Sequence, residues 1–245
     1  QEVLDAFKHA GSCSRPCAII AKTVKGKGIS ILENSGGWHG KPLSRAQLET
    51  ALGEIGAADV RLPSRVTSMP VSHTPSGFEP GIYRKDEMLS TREAFGRALV
   101  RLGKTDPTAV ALDADVMNST MTEGFFREFP ERGFQAFIAE QNMAGMAVGL
   151  SALGYKPFVA TFASFLTRAH DFIRMAQYST SNIKFAGSHA GISIGPDGPS
   201  QMGLEDIPMF LSMPEALVLY PCDAVSAERL VGAAARHTGI SYLRL

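Results

Sequence analysis

The sequence has few cysteines, no excess of either charge and no long apolar run. It holds three cysteines, Cys13, Cys17 and Cys222, in 245 residues. An odd, sparse set excludes a dense disulfide framework and suits a reducing compartment. Cys13 and Cys17 alone are too few for a zinc site. Lys plus Arg and Asp plus Glu both number 24, so the formal net charge is zero. No basic block marks a nucleic-acid or anionic membrane surface. No apolar stretch reaches membrane-spanning length, and the opening residues do not read as a signal peptide. Several catalytic signatures are also missing: no G-x-G-x-x-G after a strand, no Walker loop and no G-x-S-x-G elbow. We therefore expect a soluble, cytoplasmic protein with no nucleic-acid or membrane partner. The chain starts inside a plausible helix (2–8) and stops inside a plausible strand (240–245), from which we expect a segment of something longer.

What is present is a 44% hydrophobic chain, enough for a sizeable core. Residues 1–60 read as a helix, a short buried strand (17–21), a basic loop and a helix capped by Ser44. The loop, Lys22 to Gly28, carries three lysines and two glycines; it is either a solvated turn or an approach to an anion. His39 lies between the only Trp and a glycine on a loop, a place for a ligand contact. Residues 61–88 hold four prolines between Arg61 and Tyr83 and no clear period, as a linker does. From Leu89 strands and helices alternate, which predicts a parallel sheet covered on both faces. A capping box at Ser90–Glu93 opens a helix to about 103, and further helices are expected over 119–129, 164–179, 204–211 and 224–237. Strands are expected over 108–112, 135–139, 156–162, 183–189, 217–220 and 240–245.

The stretch 137–154 is the centre of the pattern. A strand over 135–139 delivers Glu140 to the start of a helix whose apolar residues fall at 143, 146, 147 and 150. Gly145 and Gly149 share a face there and predict close packing. Glu140 is either a first-turn carboxylate stabilised by the helix dipole or a ligand group at a strand end. Other polar and aromatic groups follow strand ends in the same way: Asp113 and Asp115, Phe162 and Phe165, then His189, Asp197 and Gln201. In a parallel sheet these ends share one edge. Each also has a structural reading, as turn cap, core ring or loop histidine. One carboxylate with aromatics and no metal cluster suits a site that borrows its chemistry from an organic cofactor.

The runs AKTVKGKGI, WHGKPL, STREAFGRALVRLG, NST, FIAEQNMAGMAVG, ATFASFLTRAHDFIR and GSHAGISIGPDGPSQM stand in the order and spacing of transketolase. The chain resembles that family over nearly its whole length, in wording closest to the animal-type branch with Gln201. The resemblance implies an α/β thiamin diphosphate-binding fold, with doubly wound parallel sheets and flanking helices. Residues 1–60 would be the end of the diphosphate-binding domain, 61–88 a linker and 89–245 the pyrimidine-binding domain. It implies transfer of a two-carbon ketol unit between sugar phosphates in the pentose phosphate pathway, with thiamine diphosphate and magnesium as cofactors. Glu140, neutral when the cofactor is bound, would bond the ring nitrogen of the aminopyrimidine. Phe165, with Phe162 beside it, would pack on that ring, and Gln201 would help hold the cofactor. Lys25 and His39 would face the thiazolium and diphosphate, His39 also touching substrate. Arg92, Ser119 and His189 would bind the sugar phosphate, and Asp197 a substrate hydroxyl. Pro196 departs from the acidic residue often found there.

The Gly-Asp-Gly…Asn motif that holds magnesium in the family is not among these residues, so the metal ligands are expected elsewhere. A homodimer with its active site between subunits is implied, and the segment alone would be incomplete. A partner subunit unable to bind cofactor, or a related thiamine enzyme such as dihydroxyacetone synthase or deoxyxylulose-phosphate synthase, are the alternatives.

Overall fold

A computed structural model of the chain describes residues 2–15, 17–38, 41–56 and 77–245. Contacts divide it into two compact units, Gln1–Val66 and Thr67–Leu245.

The first unit holds helices α1 (Glu2–Ser12) and α2 (Arg45–Ile55). Ser44 caps α2 in a reciprocal box with Gln47, satisfying two backbone N–H groups that the first turn leaves free. The basic loop is a closed turn. Gly26 has φ 67°, and a Cβ there would lie 2.8 Å from Leu32, so only glycine fits. Gly28 N–H donates to Glu33, and Ser30 donates from both N–H and hydroxyl to Glu54 of α2. The strand expected over 17–21 is absent; Ile20 is 95% exposed. The unit's described residues offer no second strand, and a lone strand leaves its backbone groups unpaired. Among them only Ala51 is buried.

The second unit is built on six parallel strands: β1 (Ala109–Asp113), β2 (Gly133–Gln135), β3 (Lys156–Phe162), β4 (Lys184–Ser188), β5 (Leu217–Leu219) and β6 (Ser241–Arg244). Their order is β2-β1-β3-β4-β6-β5. Alternate residues feed two cores. Ala109, Ala111, Phe158, Ala160 and Leu243 face α3 (Thr91–Thr105), α5 (Glu123–Glu128) and α9 (Ala224–Arg236), with Phe95, Leu99, Phe125 and Val231. Val110, Leu112, Val159, Phe185 and Tyr242 face α6 (Glu140–Ala152), α7 (His170–Tyr178) and α8 (Asp206–Leu211), with Met143, Ala147, Ile173 and Phe210. Burial on both faces explains why the strands read as apolar runs. Each large side chain buried here contributes roughly 1.5–3 kcal/mol.

After β1 the chain passes to one face of the sheet, and after β3 to the other. The carboxyl ends of these adjacent strands therefore flank a switch point, where open α/β sheets form a crevice.

Residues 77–88 form no regular element but are tied to the second unit. The Phe78 ring lies against Gly232 of α9. Gly81 N–H donates at 2.7 Å to the fully buried Glu228, which also binds Arg101 of α3. At the sheet's other edge Lys156 pairs with Asp106 at 2.6 Å, and the buried Lys184 donates to Asn182 Oδ1 and to the His237 and Gly239 carbonyls.

Four expectations need correction. β2 ends at Gln135 rather than 139, because Gln135 Oε1 accepts from Phe137 N–H and Phe137 turns to φ 56°. Phe137 and Ile138 are left 66% and 80% exposed. The helix expected over 119–129 is split into α4 (Met117–Thr120) and α5 by Met121 at φ 63°. A 3-10 segment, Phe165–Ala169, precedes α7 where continuous helix was expected. Finally, a Cβ on Gly149 would meet nothing within 4 Å, and one on Gly145 would only touch Phe172, so the described residues make no tight contact at this pair.

Candidate functional site

Three residues past or near the carboxyl ends of β2 and β3 keep buried polar atoms without a partner among the described residues: Glu140 Oε2, Thr161 Oγ1 and Ser164 Oγ. Buried polar groups are normally paired, so this cluster beside the switch point marks a place for a ligand. Glu140 is the first residue of α6 and only 5% exposed. The loop delivering it is held by Gln135, whose Oε1 accepts from both Asp115 N–H (2.8 Å) and Phe137 N–H (3.0 Å). α6 packs against β3 and against the 3-10 segment that carries Phe165.

Three rings make a stack. Phe162 and Phe165 lie 4.9 Å apart with an interplanar angle of 5°, and Phe162 and His189 lie 4.1 Å apart at 22°. Phe162 is 6% exposed, whereas Phe165 is half-buried at the crevice. The segment bearing Gln201 is drawn in by Gly203. A Cβ on Gly203 would lie 2.7 Å from Ala163 Cβ, and the Gly203 carbonyl accepts from Gly191 N–H.

Next to the stack is a cationic pocket. Arg92, in the first turn of α3, donates from Nη1 to the Ser119 carbonyl (3.0 Å) and meets His189 Nε2 at 3.1 Å. With Ser90, Thr91, Ile194 and Leu245, these two line a cavity of about 320 Å³. Burial, then the Arg92 charge, holds the His189 imidazole below its usual range, and Asp197 pulls the other way. His189 has φ 56°, a conformation non-glycine residues rarely hold without several partners.

The loop presenting Ser119 is anchored by Asp113, which is fully buried. Its carboxylate accepts from Val116 N–H (2.7 Å), Thr120 Oγ1 (2.7 Å) and Thr122 Oγ1 (2.9 Å). Burial raises the Asp113 carboxyl above its ordinary range, against these hydrogen bonds.

Of the residues singled out in the sequence, Arg92, Ser119, His189, Asp197, Phe162 and Phe165 come together. Glu140 and Gln201 stand on segments packed against the end of β3 and the turn that follows it. Lys25 is exposed in the first unit, and His39 lies outside the described residues. Gln135 and Ser188 were not singled out; both end a strand, and their side-chain hydrogen bonds appear only in the folded chain. Among the described residues no group of three or more His, Cys, Asp or Glu is placed for a metal, and no helix is long and apolar enough to cross a membrane.

The second unit is a doubly wound parallel α/β domain with a buried carboxylate, an aromatic stack and a cationic pocket beside its switch point. The chain belongs to the transketolase family: the transketolase pyrimidine-binding domain matches residues 87–245. It is 43% identical to human transketolase over 252 residues, covering all of this chain and 40% of the relative. It is likewise 43% identical to mouse transketolase-like protein 2, covering 97% of this chain and 39% of that one. The chain thus spans about two-fifths of the length of these relatives. A solved structure described as a split gene transketolase, inactive beta4 tetramer, matches 64% of this chain and 51% of its own at TM-score 0.58 and 43% identity. Campylobacter jejuni transketolase shares the fold over 99% of this chain and 44% of its own, at TM-score 0.78 and 24% identity.

Proposed function

We propose that this chain supplies the pyrimidine side and the sugar-phosphate side of a transketolase active site, and that the complete enzyme transfers a two-carbon ketol unit between sugar phosphates. The observation that carries the reading is the buried, unpartnered Glu140 Oε2 beside an open aromatic face. An aminopyrimidine fits such a place: its ring nitrogen pairs with a carboxyl group and its flat face with Phe165. Thiamine diphosphate, when bound, supplies the electron sink for breaking and making the carbon–carbon bond.

In this reading Glu140 holds a proton against the ring nitrogen. Phe165 covers the ring, and Phe162 backs Phe165 and His189 rather than touching the cofactor. Gln201 closes the same side. Arg92, His189 and Ser119 bind the phosphate of the sugar, where a guanidinium suits its charge and geometry. Asp197 takes a substrate hydroxyl. Lys25 and His39 serve the diphosphate side. Magnesium is bound by residues other than these, and a homodimer in which each subunit completes the other's site fits this division. The work is cytoplasmic.

A second reading, a chain active only with a separate partner, has one observation behind it. The similar split-gene chain is described as inactive in its β4 form. Titration of this chain with thiamine, followed by backbone amide resonances, tests the pyrimidine site. We expect shifts at Glu140, Phe165 and Gln201 that are lost in Glu140→Ala. No response at these positions at millimolar thiamine would refute the site.

A further inference from the structure

The phosphate reading leaves one group unexplained. Ser188, 1% exposed at the end of β4, places its hydroxyl 2.9 Å from His189 Nδ1. The other ring nitrogen, Nε2, faces Arg92 Nη1 at 3.1 Å. A guanidinium has donors only, so Nε2 must accept and carries no proton. The imidazole is then neutral with its proton on Nδ1, and Nδ1–H donates to Ser188 Oγ. The Ser188 hydroxyl passes its own proton on to the Thr161 carbonyl, at 3.5 Å. The chain of donors therefore runs one way, from Arg92 through His189 and Ser188 to the backbone of β3. As it stands, the Nε2 lone pair of His189 is taken up by Arg92, and the ring has no N–H to offer an anion in the cavity.

We infer that Ser188 is a positioning residue that, together with Arg92, holds His189 as the Nδ1–H tautomer, and that an entering phosphate dianion parts Arg92 from His189 while Nε2 takes up a proton from solvent. Arg92 and the new Nε2–H both then donate to the anion, and Ser188 keeps accepting from Nδ1–H throughout. The inference rests on the phosphate role proposed for Arg92 and His189. The charged groups facing the ring are Arg92 on α3 and Asp197 on the segment after β4. Arg244 of β6, near Gly191, is engaged by Asp206 and the Gly203 carbonyl. Burial and the Arg92 charge both lower the free imidazole's hold on a second proton, and an anion beside it reverses the second of these effects.

Two measurements test this on the chain itself. Nitrogen-15 spectra of the histidine side chains, with His189 assigned through His189→Gln, report the tautomer directly. We expect a pyrrole-like Nδ1 and a pyridine-like Nε2 in the wild type, a mixture of tautomers in Ser188→Ala, and recovery in Ser188→Thr. Calorimetric titration with ribose 5-phosphate, and with sulfate as a probe that does not titrate near neutral pH, in two buffers of different ionisation enthalpy reports proton uptake. We expect uptake with both anions, and binding about fivefold weaker in Ser188→Ala, the worth of one ordinary hydrogen bond. A pyrrole-like Nε2 in the free chain overturns the inference. So does Arg92-dependent binding without proton uptake. Absence of any Arg92-dependent binding overturns the phosphate role itself, and the inference with it.

Discussion

Replacing Asp113 by alanine should damage both the stability of the second unit and its hold on anions. The carboxylate is fully buried and accepts three hydrogen bonds, from Val116 N–H, Thr120 Oγ1 and Thr122 Oγ1. In Asp113→Ala the Val116 N–H loses its acceptor outright, at a cost of about 1–3 kcal/mol for a buried group. The two hydroxyls recover in part, since Thr120 Oγ1 also bonds the Val116 carbonyl and lies 3.1 Å from Thr122 Oγ1. We assign them about 0.5 kcal/mol each. The expected loss is therefore about 3 kcal/mol. Asp113→Asn keeps an acceptor for Val116 and can donate to a hydroxyl, so its loss should be about 1 kcal/mol. Urea unfolding at constant m-value reads both numbers. Hydrogen exchange at Ser119 and Thr120 should speed up in the alanine variant. Arg92 should lose its Ser119 carbonyl partner, and phosphate affinity should fall with it. A loss below about 1 kcal/mol in Asp113→Ala, with phosphate affinity unchanged, would refute the claim that this carboxylate builds the loop.

Two further outcomes follow from buried charge. Burial, aided by the nearby Lys156 charge, pushes Lys184 from 10.5 down to about 7, against three acceptors that favour its ammonium form. Between those values the unfolded chain binds the extra proton, so stability should rise as pH climbs from about 7 toward 10.5. The slope should flatten in Lys184→Met, and an unchanged slope in pH-dependent denaturation would contradict the assignment. Glu228→Ala should cost about 2 kcal/mol in urea unfolding. That is below the roughly 3–5 kcal/mol of a fully buried pair, because the Arg101 side chain is 35% exposed. Tyr83, pushed up to about 12 by burial and by Glu228, should ionise at lower pH in that variant, as read by phenolate absorbance.

The sheet was legible because β1, β3, β4 and β6 are fully buried and the flanking helices α3 and α9 open on capping boxes. Ser90–Glu93 marks the start of α3, and β3 reads as a strand along its whole length. The short strand at 17–21 misled because an apolar run shows only that a segment can be buried, not that a neighbouring strand exists. The end of β2 misled because Gln135 stops the strand with its own side chain, and nothing in apolar periodicity reports that. Arg92, His189 and Phe165 were singled out through the family's motifs, and the structure brings them together. Ser188 and Gln135 were not, since each acts through a side-chain hydrogen bond that no motif marks, Ser188 to its neighbour His189 and Gln135 to Asp115 and Phe137. Asp113 read equally well as a turn cap. Only the convergence of three donors along the loop 116–122 distinguishes an anchor from a cap.

The most direct test of the central claim is ketol transfer from xylulose 5-phosphate to ribose 5-phosphate. It is measured in the complete enzyme containing this chain, with thiamine diphosphate and magnesium, for wild type and Glu140→Gln. Glutamine fills the same space but holds no acidic proton for the pyrimidine nitrogen. The account predicts that turnover falls by at least about a hundredfold, the scale of a lost proton-transfer group. Binding of ribose 5-phosphate through Arg92 and His189 should stay within about twofold, since Glu140 is not among the residues lining the Arg92–His189 cavity. Near-wild-type turnover in Glu140→Gln would contradict the account.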